Sequence, residues 1–508
     1  MMCTFFAELR IMIESGSILL YNMRISTKRG ENLVINRKIS FACAAILCLA
    51  CLLNIIYNTQ SVYAKTEPTS ETDIYSDIDA YLQTCARNAH IPAMSVTIVD
   101  KDHVLFSQSY GNCENCDTPF LLGSVSKSFT AVCIMQLAEK RKIDLNADIS
   151  AYLPDATDGD KITVRQLLNH TSGLGEHQTL DNYKIINEQG MHHYANVNYS
   201  LLGKIIEAVS GQSYNDYITG NLFEPLQLSH TAAALDKSIE NGLIDGYADY
   251  WGFHVKNSHK YPSSEKAWIT VPAGYISSSA NDLGKYLQMY LNGGNGIISE
   301  QSIDTMFYGD TVCVDDDIPY WYGYGWTTVK EPLSEPVLRH SGLIETGVSC
   351  VFILPESDIA VAVAANVNDY FVTNNMMDDL GWGVVLMLLG SSPIEITGNE
   401  YTLSHIRIDL IMLAVFIAAV LPFCLLHKYA NRIKRGKTLP TVLLLILLHL
   451  ILPIFILLIV PVFFTTPLWV AQSFVPDVFI TEVVSSAFLF VSGFIKSMIL
   501  YKHMRESK

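Results

Sequence analysis

Charged side chains are scarce in this sequence, and most of those present are acidic. Only 17% of the 508 residues are Asp, Glu, Lys or Arg, whereas 50% are hydrophobic, a balance typical of proteins with membrane segments. The 34 Lys and Arg against 50 Asp and Glu give a formal net charge of −16. Because phosphate binding needs a basic surface, and because the chain has no Gly-rich nucleotide loop between a strand and a helix, we expect no nucleic-acid partner.

Paired cysteines are also rare. Outside the apolar stretches, only Cys113 and Cys116 of the 11 cysteines have a Cys-x-x-Cys spacing. Two cysteines without a second pair or a nearby histidine make a poor zinc site. We interpret them as a surface disulfide or as two free thiols rather than as a redox site, and we predict no metal site.

The N-terminal region has the pattern of a secretory signal. A basic stretch precedes the apolar run 39–56, and Ser61-Val62-Tyr63-Ala64 resembles a small-x-small cleavage site. The apolar run is also long enough for an uncleaved anchor. We therefore predict a signal peptide or signal anchor over 1–64, followed by a polar linker at 65–73.

Residues 74–398 have the pattern of one α+β domain. Two apolar, β-branched runs at 93–99 and 104–110 predict a hairpin, and helical patterns follow. From residue 322 onward the pattern changes to strands, with 322–329 as the first of them, and a last helix is predicted at about 370–389. Strands at both ends of the domain with helices between them predict an antiparallel sheet built from both chain ends.

Three apolar segments follow, and we assign residues 405–502 to a membrane domain with three transmembrane helices, near 410–426, 442–464 and 483–500. The loop after the first segment and the C-terminal tail are basic, whereas the loop after the second has no Lys or Arg. By the positive-inside rule the domain before the first segment is extracytoplasmic. We attribute His449 and the prolines of these segments to an interhelical hydrogen bond and to kinks.

The chemistry centres on Ser124 and Lys127. An apolar helical pattern follows Ser124, and positions three residues apart lie on one helix face, so the Lys127 amine can approach the Ser124 hydroxyl. A buried lysine with a lowered pKa can take the serine proton, and helix N-terminal amides stabilise the oxyanion that forms on attack. Ser126 is expected to point away from this face.

Two further motifs follow at wide spacing, within matched context that includes 168–174 and 322–326. Together the motifs resemble the β-lactamase-related serine hydrolases, which comprise class C β-lactamases, D-alanyl-D-alanine carboxypeptidases and D-aminopeptidases. The resemblance covers roughly residues 74–395. It implies an α+β fold of the β-lactamase/transpeptidase type, with an antiparallel sheet flanked by helices plus an all-helical domain. The matching motifs are Ser124-x-x-Lys127, Tyr194-Ala195-Asn196 and His340-Ser341-Gly342.

The resemblance implies a role for each matched position. Ser124 is expected to be the acylated nucleophile, Lys127 its base, and Tyr194 a second proton shuttle, most useful if the lysine lowers its pKa. Asn196, His340, Ser341 and Gly342 are expected to bind substrate, and the backbone amides of Ser124 and Leu343 to form the oxyanion hole. His192 and His193 are expected at the surface. No metal or cofactor is implied.

One departure from the β-lactamase pattern concerns the substrate. β-Lactamases of this group have Lys where this chain has His340, and His there resembles the D-alanyl-D-alanine carboxypeptidase and D-aminopeptidase branches. A mostly neutral imidazole is a weaker partner for a substrate carboxylate. We therefore expect a peptide or amide substrate with a D-residue beside the scissile bond rather than a β-lactam.

With its three C-terminal segments, the chain resembles in particular the membrane-bound D-amino-acid peptidases of the colibactin-maturation type. This resemblance implies a bacterial, multi-pass cell-membrane enzyme in contact with lipid, acting on nonribosomal-peptide prodrugs or antibiotics, or on cell-wall peptides. Two alternatives stay open: a penicillin-binding sensor without turnover, and a carboxylesterase acting on cell-wall esters. The sequence does not indicate an oligomeric state.

Overall fold

The computed structural model describes residues 74–506 apart from a few short segments. The predicted signal or anchor at 1–64 and the linker at 65–73 lie outside the described residues. The segments left out within 74–506 are 258–260, 263, 265, 310, 315–318, 331–332, 435–437 and 464–465.

An eight-stranded antiparallel sheet forms the centre of the domain. In chain order, the strands of the domain, inside and outside this sheet, are β1 (Ala93–Val99), β2 (Val104–Gly111), β3 (Phe120–Leu121), β4 (Gly246–Tyr250), β5 (Phe253–Asn257), β6 (Ser277–Ser278), β7 (Val312–Val314), β8 (Tyr320–Tyr322), β9 (Thr327–Val329), β10 (Val337–Ile344), β11 (Gly347–Leu354), β12 (Ile359–Ala365) and β13 (Val367–Asn368). The sheet order is β2-β1-β12-β11-β10-β9-β8-β7. Val96 of β1 pairs with Val363 of β12, so the sheet joins both ends of the domain, as predicted.

Helices cover both faces of this sheet. They are α1 (Ile74–Asn88), α2 (Ser126–Glu139), α3 (Val164–Leu168), α4 (Asn196–Ser210), α5 (Tyr214–Ile218), α6 (Leu235–Glu240), α7 (Val271–Gly274), α8 (Ala280–Leu291), α9 (Glu300–Asp304) and α10 (Thr373–Leu388). Alternate residues of a strand face opposite sides of a sheet. Met94 and Val96 accordingly share a buried cluster with Leu82 of α1, whereas Val351 of β11 joins Phe129 of α2 in the cluster on the other face. These features confirm the predicted fold class.

The first late strand differs from its prediction. Residues 322–329 were predicted as one strand, but β8 and β9 are separated by a turn. Gly325 in that turn has a φ of +73°, and a Cβ there would lie 2.8 Å from the Cα of Ser128. The turn therefore packs against the start of α2, a tertiary contact that strand periodicity does not report.

Three helical stretches at the C-terminus are long and apolar enough to cross a membrane: Gly398–Cys424, Leu439–Leu457 and Pro476–Glu506. The helices of this region are α11 (Gly398–Cys424), α12 (Leu426–Lys434), α13 (Thr438–Ile446), α14 (Leu452–Leu457), α15 (Ile459–Phe463), α16 (Leu468–Phe474) and α17 (Pro476–Glu506). The predicted apolar segments miss the first turns of α11 and α17, because these turns contain polar residues that an apolar pattern does not include. His449 donates its Nδ1 proton to the Leu489 carbonyl of α17 over 2.8 Å, the interhelical hydrogen bond predicted for it.

Candidate active site

The start of α2 brings a hydroxyl and an amine together. A single 3₁₀ turn at Gly123–Val125 leads into α2, and the Nζ of Lys127 lies 2.9 Å from the Oγ of Ser124. The same Nζ lies 2.8 Å from the Oδ1 of Asn196 and 2.7 Å from the carbonyl oxygen of Ala273. The i, i+3 pairing expected from the sequence is therefore present in the structure.

The environment of Lys127 favours the neutral amine. Its side chain is fully buried, and its three hydrogen-bond partners are a hydroxyl, an amide and a carbonyl, none of which carries a negative charge. Burial without a counter-ion holds the pKa of Lys127 well below its usual value. A neutral amine at 2.9 Å is able to accept the Ser124 proton.

Tyr194 also contacts Ser124. Its hydroxyl donates to Ser124 Oγ over 2.8 Å, and its ring centroid lies 4.9 Å from Lys127 Nζ. Burial raises the pKa of Tyr194, and the hydrogen bond to Ser124 only partly offsets this. The lowered pKa considered from the sequence is therefore not found, and the phenol is poised as a proton carrier rather than as a phenolate base.

Asn196 occupies the first residue of α4 and is buried. Because its Oδ1 accepts a hydrogen bond from Lys127, its side-chain NH₂ faces elsewhere with two donors. This arrangement fixes the lysine and leaves Asn196 able to bind a carbonyl oxygen.

β10 runs beside Ser124 because two glycines permit close contact. Gly123 has a φ of +54°, and a Cβ there would lie 2.3 Å from the backbone nitrogen of Leu343; a Cβ on Gly342 would lie 1.9 Å from the Leu122 carbonyl oxygen. Any larger residue would push β10 away from the 3₁₀ turn. The Leu343 amide is thus held beside Ser124, where the resemblance placed half of the oxyanion hole.

His340 is neutral in the structure. Its Nδ1 lies 2.7 Å from the Ser341 carbonyl, which can only accept, so Nδ1 carries the proton and Nε2 accepts from the Tyr322 hydroxyl at 3.1 Å. Burial, followed by the nearby Lys127, lowers the pKa of His340 to about 3. The neutral imidazole predicted from the sequence follows from this environment.

The predicted residues open into one cavity of about 560 Å³. Arg339, which is ion-paired with Asp378, also lines this cavity, as do Asn374 and Asn375 of α10. The predicted site residues that line it are Ser124, Tyr194, His340, Ser341, Gly342 and Leu343. Lys127 and Asn196 lie behind Ser124 rather than on the cavity wall.

Sequence reasoning missed the histidines that support Tyr194. His170, in the 168–174 motif, is fully buried with its ring 4.3 Å from that of Tyr194, and its Nδ1 accepts from the Ala195 amide and from Asn198. His192 was expected at the surface, but it is half-buried and lines the cavity. The motif around His170 was visible in the sequence, whereas His192 carried no signal.

The remaining expectations concern residues beside the site. The Oγ of Ser126 accepts the Ile276 amide, so this hydroxyl is structural and points away from Ser124, as expected. Cys113 and Cys116 are free thiols, and the Cys113 sulfur contacts the Ser95 hydroxyl and the Asn115 carbonyl.

Comparison with known proteins finds relatives of this domain. The sequence profile of the Beta-lactamase family matches residues 78–382. The chain is 27% identical over 335 residues to Protein flp of Staphylococcus aureus, covering 59% of this chain and 64% of that one. It is 32% identical over 212 residues to the Teichoic acid D-alanine hydrolase of Staphylococcus aureus, covering 37% of this chain and 50% of that one. The match thus spans less than two thirds of either relative.

A solved structure shares the fold. The octameric penicillin-binding protein homologue from Pyrococcus abyssi superimposes with a TM-score of 0.56 at 25% identity, covering 65% of this chain and 80% of that one. This likeness supports the fold described above.

Proposed function

The chain belongs to the Beta-lactamase family, and from that premise we propose that it is a membrane-anchored hydrolase acting through an acyl-Ser124 intermediate. One observation carries the proposal: Ser124 Oγ is hydrogen-bonded both to Lys127 Nζ at 2.9 Å and to the Tyr194 hydroxyl at 2.8 Å. A serine between two proton-transfer groups is the arrangement that nucleophilic catalysis requires.

The proposed reaction has two halves. In the first, neutral Lys127 takes the Ser124 proton while Oγ attacks the substrate carbonyl, and the amides of Ser124 and Leu343 stabilise the resulting oxyanion. The proton passes through Tyr194 to the leaving nitrogen, the C–N bond breaks, and the acyl group remains on Ser124. In the second half, the oxygen of a water molecule attacks the acyl carbonyl while Lys127 and Tyr194 take its proton. The bond between Ser124 Oγ and the acyl carbon then breaks, Oγ receives that proton, and the acid is released.

We propose an amide or peptide next to a D-residue as the substrate. The neutral His340 offers no fixed charge to a carboxylate, and Arg339 is already paired with Asp378. A cavity of about 560 Å³ admits a peptide-sized group. The name of the teichoic acid relative also places a D-alanyl group in the substrate of a similar protein. Maturation or inactivation of nonribosomal peptides and trimming of cell-wall peptides both fit this chemistry.

The C-terminal helices support placement in a cell membrane. We propose that residues 74–398 form the catalytic domain on the extracytoplasmic side and that 405–502 form the membrane domain. The support is the basic loop after the first helix and the basic tail after the third.

A second candidate is an esterase that releases D-alanine from a cell-wall polymer. The 32% identity to the Teichoic acid D-alanine hydrolase favours it, and an acyl-serine mechanism serves esters and amides alike.

Matched substrates distinguish these functions. The full chain in detergent is assayed with D-alanyl and D-asparaginyl anilides, their L-enantiomers, and the corresponding D-alanyl ester. We expect the D-anilides to be hydrolysed at least ~100-fold faster in kcat/KM than the L-anilides, a difference of about 2.7 kcal/mol in transition-state binding. Hydrolysis of the ester alone would replace the first proposal with the second. Equal rates for both enantiomers would contradict D-selectivity, and acylation without release would indicate a sensor.

A further inference from the structure

A second cluster of ionisable side chains lies outside the catalytic cavity, where the small sheet β13-β4-β5 meets the membrane helices. Asp249 of β4 and His254 of β5 are direct cross-strand partners. Asp369 follows β13, which pairs in parallel with β4. One ligand-type atom from each of these three residues lies within 4.8 Å of the other two. None of the three lines the cavity around Ser124.

Two atoms of this cluster are buried without partners among the described residues. Asp249 is only 8% exposed, and its Oδ2 accepts the Gly252 amide while its Oδ1 has no hydrogen bond. The Nε2 of His254 is also buried and unpartnered. A buried polar atom without a partner costs about 1–3 kcal/mol, so two of them side by side indicate that something else satisfies them.

Electrostatics point to a cation. Asp249 and Asp369 are both buried, and no Lys or Arg within 74–506, as far as the structure describes it, forms an ion pair with either. A divalent cation would offset both negative charges.

We propose that Asp249, His254 and Asp369 bind a divalent metal ion, with zinc as the best match to their ligand atoms. Zinc takes imidazole nitrogen and carboxylate oxygen at about 2.0–2.2 Å in tetrahedral sites. Ligands of such a site are about 3.4 Å apart, so these side chains need to close by about an ångström. This proposal is independent of the acyl-serine chemistry.

The site would join the catalytic domain to the membrane helices. His405 of α11 donates from Nε2 to Asp369 Oδ2 over 3.1 Å, and Asp369 also accepts from the amide and hydroxyl of Thr373. Asp477 of α17 accepts the amide of Trp251, in the turn between β4 and β5. A metal ion here would fix the β4–β5 hairpin against a strand end that α11 already holds. Its role is therefore structural, with His405 as a positioning residue.

Zinc binding by the full-length chain tests the proposal directly. Protein purified in detergent through a histidine-free tag is stripped with EDTA, equilibrated with Zn²⁺ in millimolar Mg²⁺, and analysed for bound metal. We expect one zinc per chain and a zinc-dependent rise of at least ~2 °C in the unfolding midpoint. Asp249→Asn should weaken zinc binding more than ~100-fold and His254→Gln at least ~10-fold.

Asp245→Asn is the matched control, because this half-exposed carboxylate beside the same hairpin pairs with Lys256 instead. It should bind zinc like the wild type. Far-UV circular dichroism of each variant reports whether the chain is folded. If Asp249→Asn does not fold, the zinc stoichiometry of the wild type and the zinc affinity of His254→Gln test the proposal. Zinc below stoichiometry in the wild type, or equal affinity in wild type and folded ligand variants, would overturn the proposal.

Discussion

The protonation state of Lys127 determines what Ser124 can do. An ammonium would donate one proton to each of its three acceptors, Ser124, Asn196 and Ala273. A neutral amine can donate to Asn196 and Ala273 and direct its lone pair at the serine hydroxyl. Since burial lowers the lysine pKa, the second arrangement becomes accessible near neutral pH, and the acylation rate should fall as the pH drops through the lysine pKa.

Substitution of Asn196 by Asp tests this interpretation. The change places a carboxylate about where Oδ1 now lies, 2.8 Å from Lys127 Nζ. An adjacent opposite charge favours the ammonium and raises the pKa by about 1–3 units, so the acidic limb of the rate profile should move to higher pH. The measurement is the pH dependence of fluorophosphonate labelling. The control is Asn375→Asp, another residue that lines the cavity, which should not shift the acidic limb of the profile. If Asn196→Asp does not shift this limb either, Lys127 is not the base.

The lowered pKa of His340 makes the free energy of unfolding depend on pH under acidic conditions. Its folded pKa of about 3 lies below the ordinary value of 6.5, so the unfolded chain binds more protons between these values and stability is lost as the pH falls through that window. By pH 4 the loss amounts to roughly 3 kcal/mol. Thermal unfolding in detergent from pH 7 to pH 4 should show a shallower decline for His340→Gln than for wild type. The exposed His103, changed to Gln, should keep the wild-type slope; equal slopes in all three would refute the assignment.

Contact between the Gly123 turn and β10 positions the oxyanion hole. Gly123→Ala would place a Cβ 2.3 Å from the Leu343 nitrogen and displace this amide. Loss of one oxyanion donor slows acyl transfer by about 100–1,000-fold, and we expect that loss in kcat.

Gly211→Ala, at the end of α4, is the control for Gly123→Ala. It introduces backbone strain without displacing the Leu343 amide. Gly211 also has a positive φ, +73°, but its Cβ would meet nothing within 4 Å. It should cost about 1–2 kcal/mol of stability and leave kcat unchanged. Steady-state kinetics and thermal unfolding of the two variants provide the comparison, and equal loss of kcat in both would remove the special role of the β10 contact.

The sequence predicts elements well where one local pattern determines them. β1 has its predicted bounds and β2 ends one residue later than predicted, because alternating or continuous apolar runs between turn residues report strand burial directly. The turn at Gly325 and the burial of His192 were missed because both depend on contacts with distant segments. The same holds for the cluster of Asp249, His254 and Asp369, which joins residues about 115 positions apart through sheet pairing.

The molecule as a whole joins a domain of the Beta-lactamase family to C-terminal helices that expose large apolar side chains. Leu410, Ile417 and Phe494 expose large apolar side chains on the spanning stretches, as expected for contact with acyl chains. The domain that contains Ser124 also contacts the C-terminal helices directly. Asn368 donates to the Phe474 carbonyl of α16, between the second and third spanning stretches, and Asp369 accepts from His405 of α11. The hydrolase domain is therefore held against the membrane helices by specific hydrogen bonds.

Cysteine accessibility tests the proposed orientation. Cys313 of β7 is an exposed free thiol, and Lys434 at the end of α12 is also exposed. With Cys113 and Cys116 changed to Ser, a membrane-impermeant maleimide should label Cys313 in intact cells, whereas Lys434→Cys with Cys313 also changed to Ser should be labelled only after permeabilisation. The reverse pattern would place the catalytic domain in the cytoplasm and contradict the proposed orientation.

The central claim is that Ser124 carries the acyl group, and intact mass of the full chain after fluorophosphonate treatment tests it most directly. We predict one adduct per chain, located on the peptide that contains Ser124. Ser124→Ala should form no adduct and lose at least ~1,000-fold in turnover of a D-residue amide. Ser126→Ala should keep both the adduct and turnover, at a stability cost of about 1–3 kcal/mol for the unpaired Ile276 amide. An adduct of equal yield in Ser124→Ala would contradict the account.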